Sequence, residues 1–115
     1  MSFQVLSNGG LLTEKTILTG NAATTVLSLG KAALVESVVC VEVGGNTPNL
    51  TVETYDGTTS YYRRNAKAMT AKEEVTLPGF RLDTDEVIRV TSSHASGLVH
   101  VWVNYFAADA TQRMA

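Results

Sequence analysis

The sequence predicts a single antiparallel all-β domain, and three observations carry that expectation. Apolar and polar residues alternate with period two along most of the chain, the pattern of a half-buried strand. Turn-forming residues interrupt the alternation at intervals of about ten residues: Gly20-Asn21, Gly30, Gly44-Gly45-Asn46, Asp56-Gly57, Pro78-Gly79 and His94-Ala95-Ser96-Gly97. Fifteen Thr and fourteen Val stand among the 115 residues, and β-branched side chains favour the pleated backbone. Parallel pairing needs crossovers of about a dozen residues or more, and no segment supplies one. A sandwich of about eight strands follows, with a jelly roll as the best fit. An immunoglobulin-like sandwich or a small barrel is the alternative, although no Cys…Trp…Cys framework marks the former.

In chain order, residues 13–19 are the first predicted strand, closed by Gly20-Asn21, and residues 24–29 the second, ending at Gly30. Residues 34–43 form the clearest strand. Strict alternation there puts Val35, Val39, Val41 and Val43 on one face and Glu36, Cys40 and Glu42 on the other. The turn 44–49 leads into residues 50–55, with Leu50 and Val52 inward and Thr51, Glu53 and Tyr55 outward. Asp56-Gly57 predicts a type I′ hairpin turn, with residues 59–64 as the return strand. Residues 65–71 lack alternation and read as a loop with at most one helical turn. Residues 73–77 are a short strand stopped by Pro78-Gly79. After the acidic turn Asp83-Thr84-Asp85, residues 86–92 turn Ile88 and Val90 inward and Val87, Arg89 and Thr91 outward. Residues 98–106 are the last strand. The implied organisation is an N-terminal arm over 1–12, a sandwich domain over 13–107 and a tail over 108–115.

Composition excludes several functions. Charged residues make up 17% and the net charge is −2, which gives no general electrostatic grip on nucleic acid or an anionic membrane. The longest mostly apolar stretch, residues 32–43, contains Glu36 and Glu42 and is too short to cross a bilayer. The first residues lack the basic and long apolar regions of a secretory signal, so synthesis and assembly in a cytoplasm are expected. Cys40 is the lone cysteine, which excludes an internal disulfide or multi-cysteine zinc site and reads as a small buried hydrophobe.

Few residues are candidates for chemistry. In the last strand Val99, Val101, Val103 and Tyr105 form the inward set, leaving His100, Trp102, Asn104 and Phe106 on the other face. An outward stripe of Trp, His and Phe marks a contact surface, with coverage by the chain itself or by a neighbouring subunit as the competing readings. Tyr61-Tyr62-Arg63-Arg64 with Lys67 is the one basic and aromatic cluster, and Glu73-Glu74 are placed to lie opposite it. Three cations on a net-negative chain make a solvated strand end or a subunit contact, not a nucleic-acid site. With Trp102, Tyr61 and Tyr62 as stacking platforms, a small carbohydrate-binding module is a second reading. Asp83-Thr84-Asp85-Glu86 lacks the length and glycine of a calcium loop, and His94 and His100 have no third zinc ligand at a diagnostic spacing. No nucleophile elbow or phosphate loop occurs, so no catalytic, metal or cofactor residue is assigned and an enzyme is not expected.

The run Leu50-Thr51-Val52-Glu53-Thr54-Tyr55-Asp56-Gly57-Thr58-Thr59, with Val75-Thr76-Leu77-Pro78-Gly79-Phe80-Arg81-Leu82 and Val87-Ile88-Arg89-Val90-Thr91-Ser92, resembles small all-β virion proteins of tailed bacteriophages. The resemblance extends over residues 34–106, and Thr84 stands where those proteins usually have a glycine before the acidic residue. It implies a structural virion protein: a capsid decoration or auxiliary head subunit, or else a head–tail connector or a tail or fibre subunit. It also implies a homo-oligomer, a trimer by analogy with decoration proteins on capsid symmetry axes, in contact with the major capsid protein or another virion protein. On that basis Ser7-Asn8-Gly9-Gly10 is a flexible stem for an arm whose Phe3, Val5 and Leu6 are buried by a neighbour. The expected contact set is Phe3, Val5, Leu6, Tyr61, Tyr62, Arg63, Arg64, His100, Trp102 and Phe106.

Overall fold

A computed structural model describes residues 10–107, so Phe3, Val5 and Leu6 and the tail 108–115 lie outside the described residues. Among the described residues there are eight strands: β1 (Leu12–Leu18), β2 (Thr24–Leu27), β3 (Ala33–Glu42), β4 (Asn49–Tyr55), β5 (Ser60–Ala68), β6 (Glu74–Leu82), β7 (Val87–Ser92) and β8 (Val99–Ala107). They form two four-stranded sheets, β1-β8-β3-β6 and β2-β7-β4-β5, and every pairing is antiparallel. Among the described strands β4 and β5 alone pair as chain neighbours, while β1 pairs with β8, β2 with β7, β3 with β6 and β8, and β4 with β7, the double Greek-key winding. The fold is a jelly roll.

The core lies between the sheets. The first sheet contributes Leu18, Val35, Val38, Cys40, Leu77, Leu82, Val99, Val101 and Val103, and the second contributes Leu50, Val52, Ile88 and Val90. The inward sets expected for residues 50–55, 86–92 and 98–106 are buried as alternation required. Met69, just past β5, plugs one end and is 2% exposed. Cys40 is buried in this core, and loss of hydration pushes its thiol up to about 12.

Strict alternation fails in β3. The register against β8 slips between Val35 and Ser37, so Val35 faces Tyr105 while Ser37 already faces Asn104. That β-bulge inserts one residue, and a one-residue shift exchanges the two faces. Val38, Cys40 and Glu42 therefore point inward, whereas Val39 and Val41 turn out; the expected grouping of Val35 with Val39, Val41 and Val43 is wrong beyond the bulge.

Three boundaries also differ. The return strand β5 continues to Ala68 because it absorbs two register shifts against β4 and places Ala66 at φ 53°. Its bulges erase the alternation on which the loop expectation rested. β6 runs straight through Pro78-Gly79. It is an edge strand, where a missing N–H breaks no ladder bond. Gly79 sits against β3, where a Cβ would lie 2.6 Å from the Val35 carbonyl oxygen. At the β4–β5 turn, Asp56 N–H donates to Thr59 O at 3.3 Å, so the central pair is Gly57-Thr58. Only Gly57 has positive φ (96°), which removes the type I′ assignment. Asp56 instead accepts the N–H groups of Thr58 (2.9 Å) and Thr59 (2.7 Å), and these bonds lower its pKa.

Candidate interaction surface

Register builds the outward face of the first sheet row by row. Directly opposed residues share a face, so β1, β8, β3 and β6 line up Ile17, His100, Val41 and Glu74 in one row. The next rows hold Lys15, Trp102, Val39 and Thr76, then Thr13, Asn104, Ser37 and Pro78. The last holds Phe106, Leu34 and Arg81. Apart from the bulged Glu36, no outward position on the central strands β3 and β8 carries a charge. Lys15, Glu74 and Arg81 lie on the two edge strands.

Apolar groups on this face stay open to solvent. Ile17 is 62% exposed, Leu34 57% and Phe106 37%. His100 and Trp102 meet edge to face, with ring centroids 6.1 Å apart and planes at 61°. Beside them an open hollow of ≈ 240 Å³ is lined by Lys15, Thr16, Ile17, His100, Val101 and Trp102. A polar seam crosses three strands: Thr13 Oγ1 donates to Asn104 Oδ1 (2.7 Å), Asn104 Nδ2 to Ser37 Oγ (3.0 Å), and Ser37 Oγ to Glu36 Oε1 (2.6 Å). It separates the Trp102 patch from the Phe106–Leu34 patch. Within it the Thr13, Asn104 and Ser37 side chains are linked to one another, and the Glu36 carboxylate accepts one bond and stays exposed. Chemically the surface offers apolar contact and stacking.

Of the contact residues expected from sequence, the fold brings His100, Trp102 and Phe106 onto one face. Ile17, Leu34, Val39 and Val41 join them, and sequence reading missed these four. An exposed-face assignment for Ile17 and Leu34 needs the strand register, and Val39 and Val41 were hidden by the bulge.

The basic and aromatic cluster does not form one patch. Tyr61 and Tyr62 are exposed on edge strand β5 (55% and 57%). Arg63 crosses to the other sheet, where its guanidinium carbon lies 4.1 Å from the centroid of the Phe80 ring. Arg64 Nη1 donates to the Arg63 carbonyl at 2.9 Å. Lys67 pairs with Glu73 at 3.2 Å, as the acidic pair opposite the cluster foreshadowed. The Glu73 carboxyl is held below its usual range by the Thr70 N–H first and by Lys67 next.

Outward residues of the second sheet form a separate network. Arg89 lies over the Tyr55 ring (3.7 Å to the centroid), bonds Glu53 through Nε at 2.6 Å, and donates through Nη2 to Ser60 Oγ at 3.0 Å. The adjacent outward sets Glu53-Tyr55 and Val87-Arg89 held that signal, since β4 and β7 pair across Glu53–Arg89. At one end of the sandwich the buried Glu42 carboxylate accepts four backbone N–H bonds: Lys72 (2.9 Å), Asn46 (3.0 Å), Gly44 (3.0 Å) and Gly45 (2.9 Å). These donors, Lys72 foremost, lower its pKa to about 2. His94 is a turn residue whose Nδ1 accepts the Ser96 N–H at 3.1 Å. The Asp83–Glu86 run closes the β6–β7 turn, with the Glu86 carboxylate accepting the Asp83 N–H at 2.9 Å.

No family model matches the chain, and no curated protein matches it. Among solved structures it is similar to a pentameric capsid protein isolated from metagenomic phage sequences. In the crystal structure solved by iodide phasing the identity is 17% and the TM-score 0.50, over 88% of this chain and 68% of that one. A second structure under the same description gives 16% identity and a TM-score of 0.49, over 84% of this chain and 60% of that one. The chain thus spans about 60–70% of the capsid protein's length. A weaker likeness, with 12% identity and a TM-score of 0.38, is to the CBM22-1–GH10 modules of a Clostridium thermocellum endo-1,4-β-D-xylanase, of which this chain covers 25%. At such identities the likeness is one of fold.

Proposed function

We propose that the chain is a non-enzymatic structural subunit of a bacteriophage virion, a capsid decoration or auxiliary head protein that works as a homo-oligomer. The observation that carries this reading is the outward face of the first sheet. Its two central strands expose Trp102, His100, Phe106, Leu34, Val39 and Val41 with Glu36 as their one charge. Burying uncharged surface avoids the large desolvation penalty of charged groups, and a face with few charges suits permanent cover by another subunit. The similar capsid protein is pentameric and has the same fold, which supports self-association.

Size-exclusion chromatography with light scattering tests the proposal. A closed oligomer is expected, and its mass separates a trimer from a pentamer. Trp102→Asp puts a charge at the centre of the face and should give a folded monomer by circular dichroism. A wild-type monomer at high concentration refutes self-assembly. Binding to expanded shells of the major capsid protein tests decoration, and absent binding moves the assignment to a connector, tail or fibre subunit.

A further inference from the structure

The outward face of the first sheet is banded across its strands. Two apolar bands, centred on His100–Val41 and Trp102–Val39, lie on one side of the polar seam, and a third, Phe106–Leu34, lies on the other. In each band β8 and β3 supply the central pair. Charge stands at the rim: Lys15 on edge strand β1, Glu74 and Arg81 on edge strand β6, all three exposed. Arg81 pairs with Asp83 at 3.0 Å, whereas among the described residues neither Lys15 nor Glu74 makes an ion pair.

A second copy can cover this face about a two-fold axis lying in the contact plane, so that the same patch is used twice. An axis across the strands reverses the order of the bands and sets Trp102 against the polar seam. An axis along the strands, between β8 and β3, lays each band on itself. Trp102 then meets the second copy's Val39, His100 its Val41 and Phe106 its Leu34, while seam meets seam. The open hollow beside Trp102 lies under the second copy's β3 and β6. β1 lies over β6, which puts Lys15 opposite Thr76, with Glu74 two residues along at about 7 Å, within reach of a lysine side chain.

We infer that a second copy of the chain occupies this face about the axis along the strands, with Lys15 of each copy paired to Glu74 of the other. The inference rests on the face being a subunit contact, as proposed above, and supplies its partner and register. Apolar bands meet apolar bands, and the two rim charges without an ion pair meet each other. Four strands at about 4.8 Å and about eight residues at ~3.3 Å give a footprint of roughly 500 Å² per copy, which reaches the ~1,000 Å² in total that a specific interface needs. Glu36 is the one opposing charge: it lies on β3 beside the axis, so its exposed carboxylate faces that of its copy.

Light scattering and sedimentation equilibrium on charge variants, with folding checked by circular dichroism, test this. The wild type should be a dimer or an even-numbered assembly. Lys15→Glu and Glu74→Lys should each weaken it about tenfold, because the axis repeats the contact, and Lys15→Glu/Glu74→Lys should restore it. Glu36→Gln should tighten it. Failure of the double variant to restore association overturns the inference. Restoration by Arg81→Glu/Glu74→Arg in its place also overturns it, in favour of the axis across the strands. A trimer or pentamer overturns the two-fold contact and leaves self-association standing, whereas a wild-type monomer removes both.

Discussion

The bulge at Glu36 makes a prediction in which strict alternation and the observed register disagree in sign. Val38 is 0% exposed, opposite Val103 and Leu77, with apolar groups on both sides. Val39 faces outward between Trp102 and Thr76 and is half-buried. Replacing Val by Thr keeps the shape and swaps a methyl for a hydroxyl. At position 38 that hydroxyl enters the core without a side-chain partner, which costs about 1–3 kcal/mol. A domain of this size loses about 4–8 °C of Tm per kcal/mol, so Val38→Thr should melt roughly 4–24 °C below wild type. At position 39 the hydroxyl reaches water and the change stays within about 0.5 kcal/mol, or less than ~4 °C. Thermal unfolding at low protein concentration, followed by circular dichroism and checked by urea titration, reads both variants. Should Val39→Thr melt as low as Val38→Thr, or lower, the bulge and the face assignment built on it are refuted.

Acid should expose the Glu42 clamp. Its folded pKa of about 2 lies below the ordinary 4.5, so the stability it contributes is complete above about 4.5 and is lost as pH falls toward 2. Glu42→Gln should therefore flatten the decline of Tm across that window, with the same Tm slope as wild type above pH 5. Gly97 and Gly30 share φ +71°, but a Cβ at Gly97 would lie 2.5 Å from the Leu18 carbonyl oxygen while Gly30 has open space. Chemical denaturation should find Gly30→Ala destabilising by about 1–2 kcal/mol and Gly97→Ala by more, and equal losses would contradict the close packing of the His94–Gly97 turn. Cys40 should resist a thiol reagent at pH 8 in the native protein and react within seconds in denaturant, because burial and a thiol pKa near 12 leave almost no accessible thiolate.

Strand identity was legible in the sequence because alternation and turn residues are local properties. Every expected strand is present, and β8 was assigned correctly face by face. What escaped depends on neighbours. Pro78 stops a central strand but not an edge strand, and only the sheet order makes β6 an edge. The inserted residue at Glu36 resembles its neighbours in type, so alternation alone does not reveal it. Three of the seven residues of the candidate surface were readable for the same reason: Trp102, His100 and Phe106 follow from one strand, whereas Ile17 and Leu34 enter through pairing with β8. The Tyr61–Arg64 cluster failed in the opposite direction, since residues adjacent in sequence diverge on a bulged strand.

The strand order also sets a schedule. Both β1 and β3 pair with β8, so the first sheet has no centre until residues 99–107 exist. A nascent chain can form the β4–β5 hairpin early, but β1 waits for a partner more than eighty positions downstream. The charge-poor face built on β8 is therefore displayed only once residues 99–107 are in place, and a chain cut short of them cannot make contacts through it.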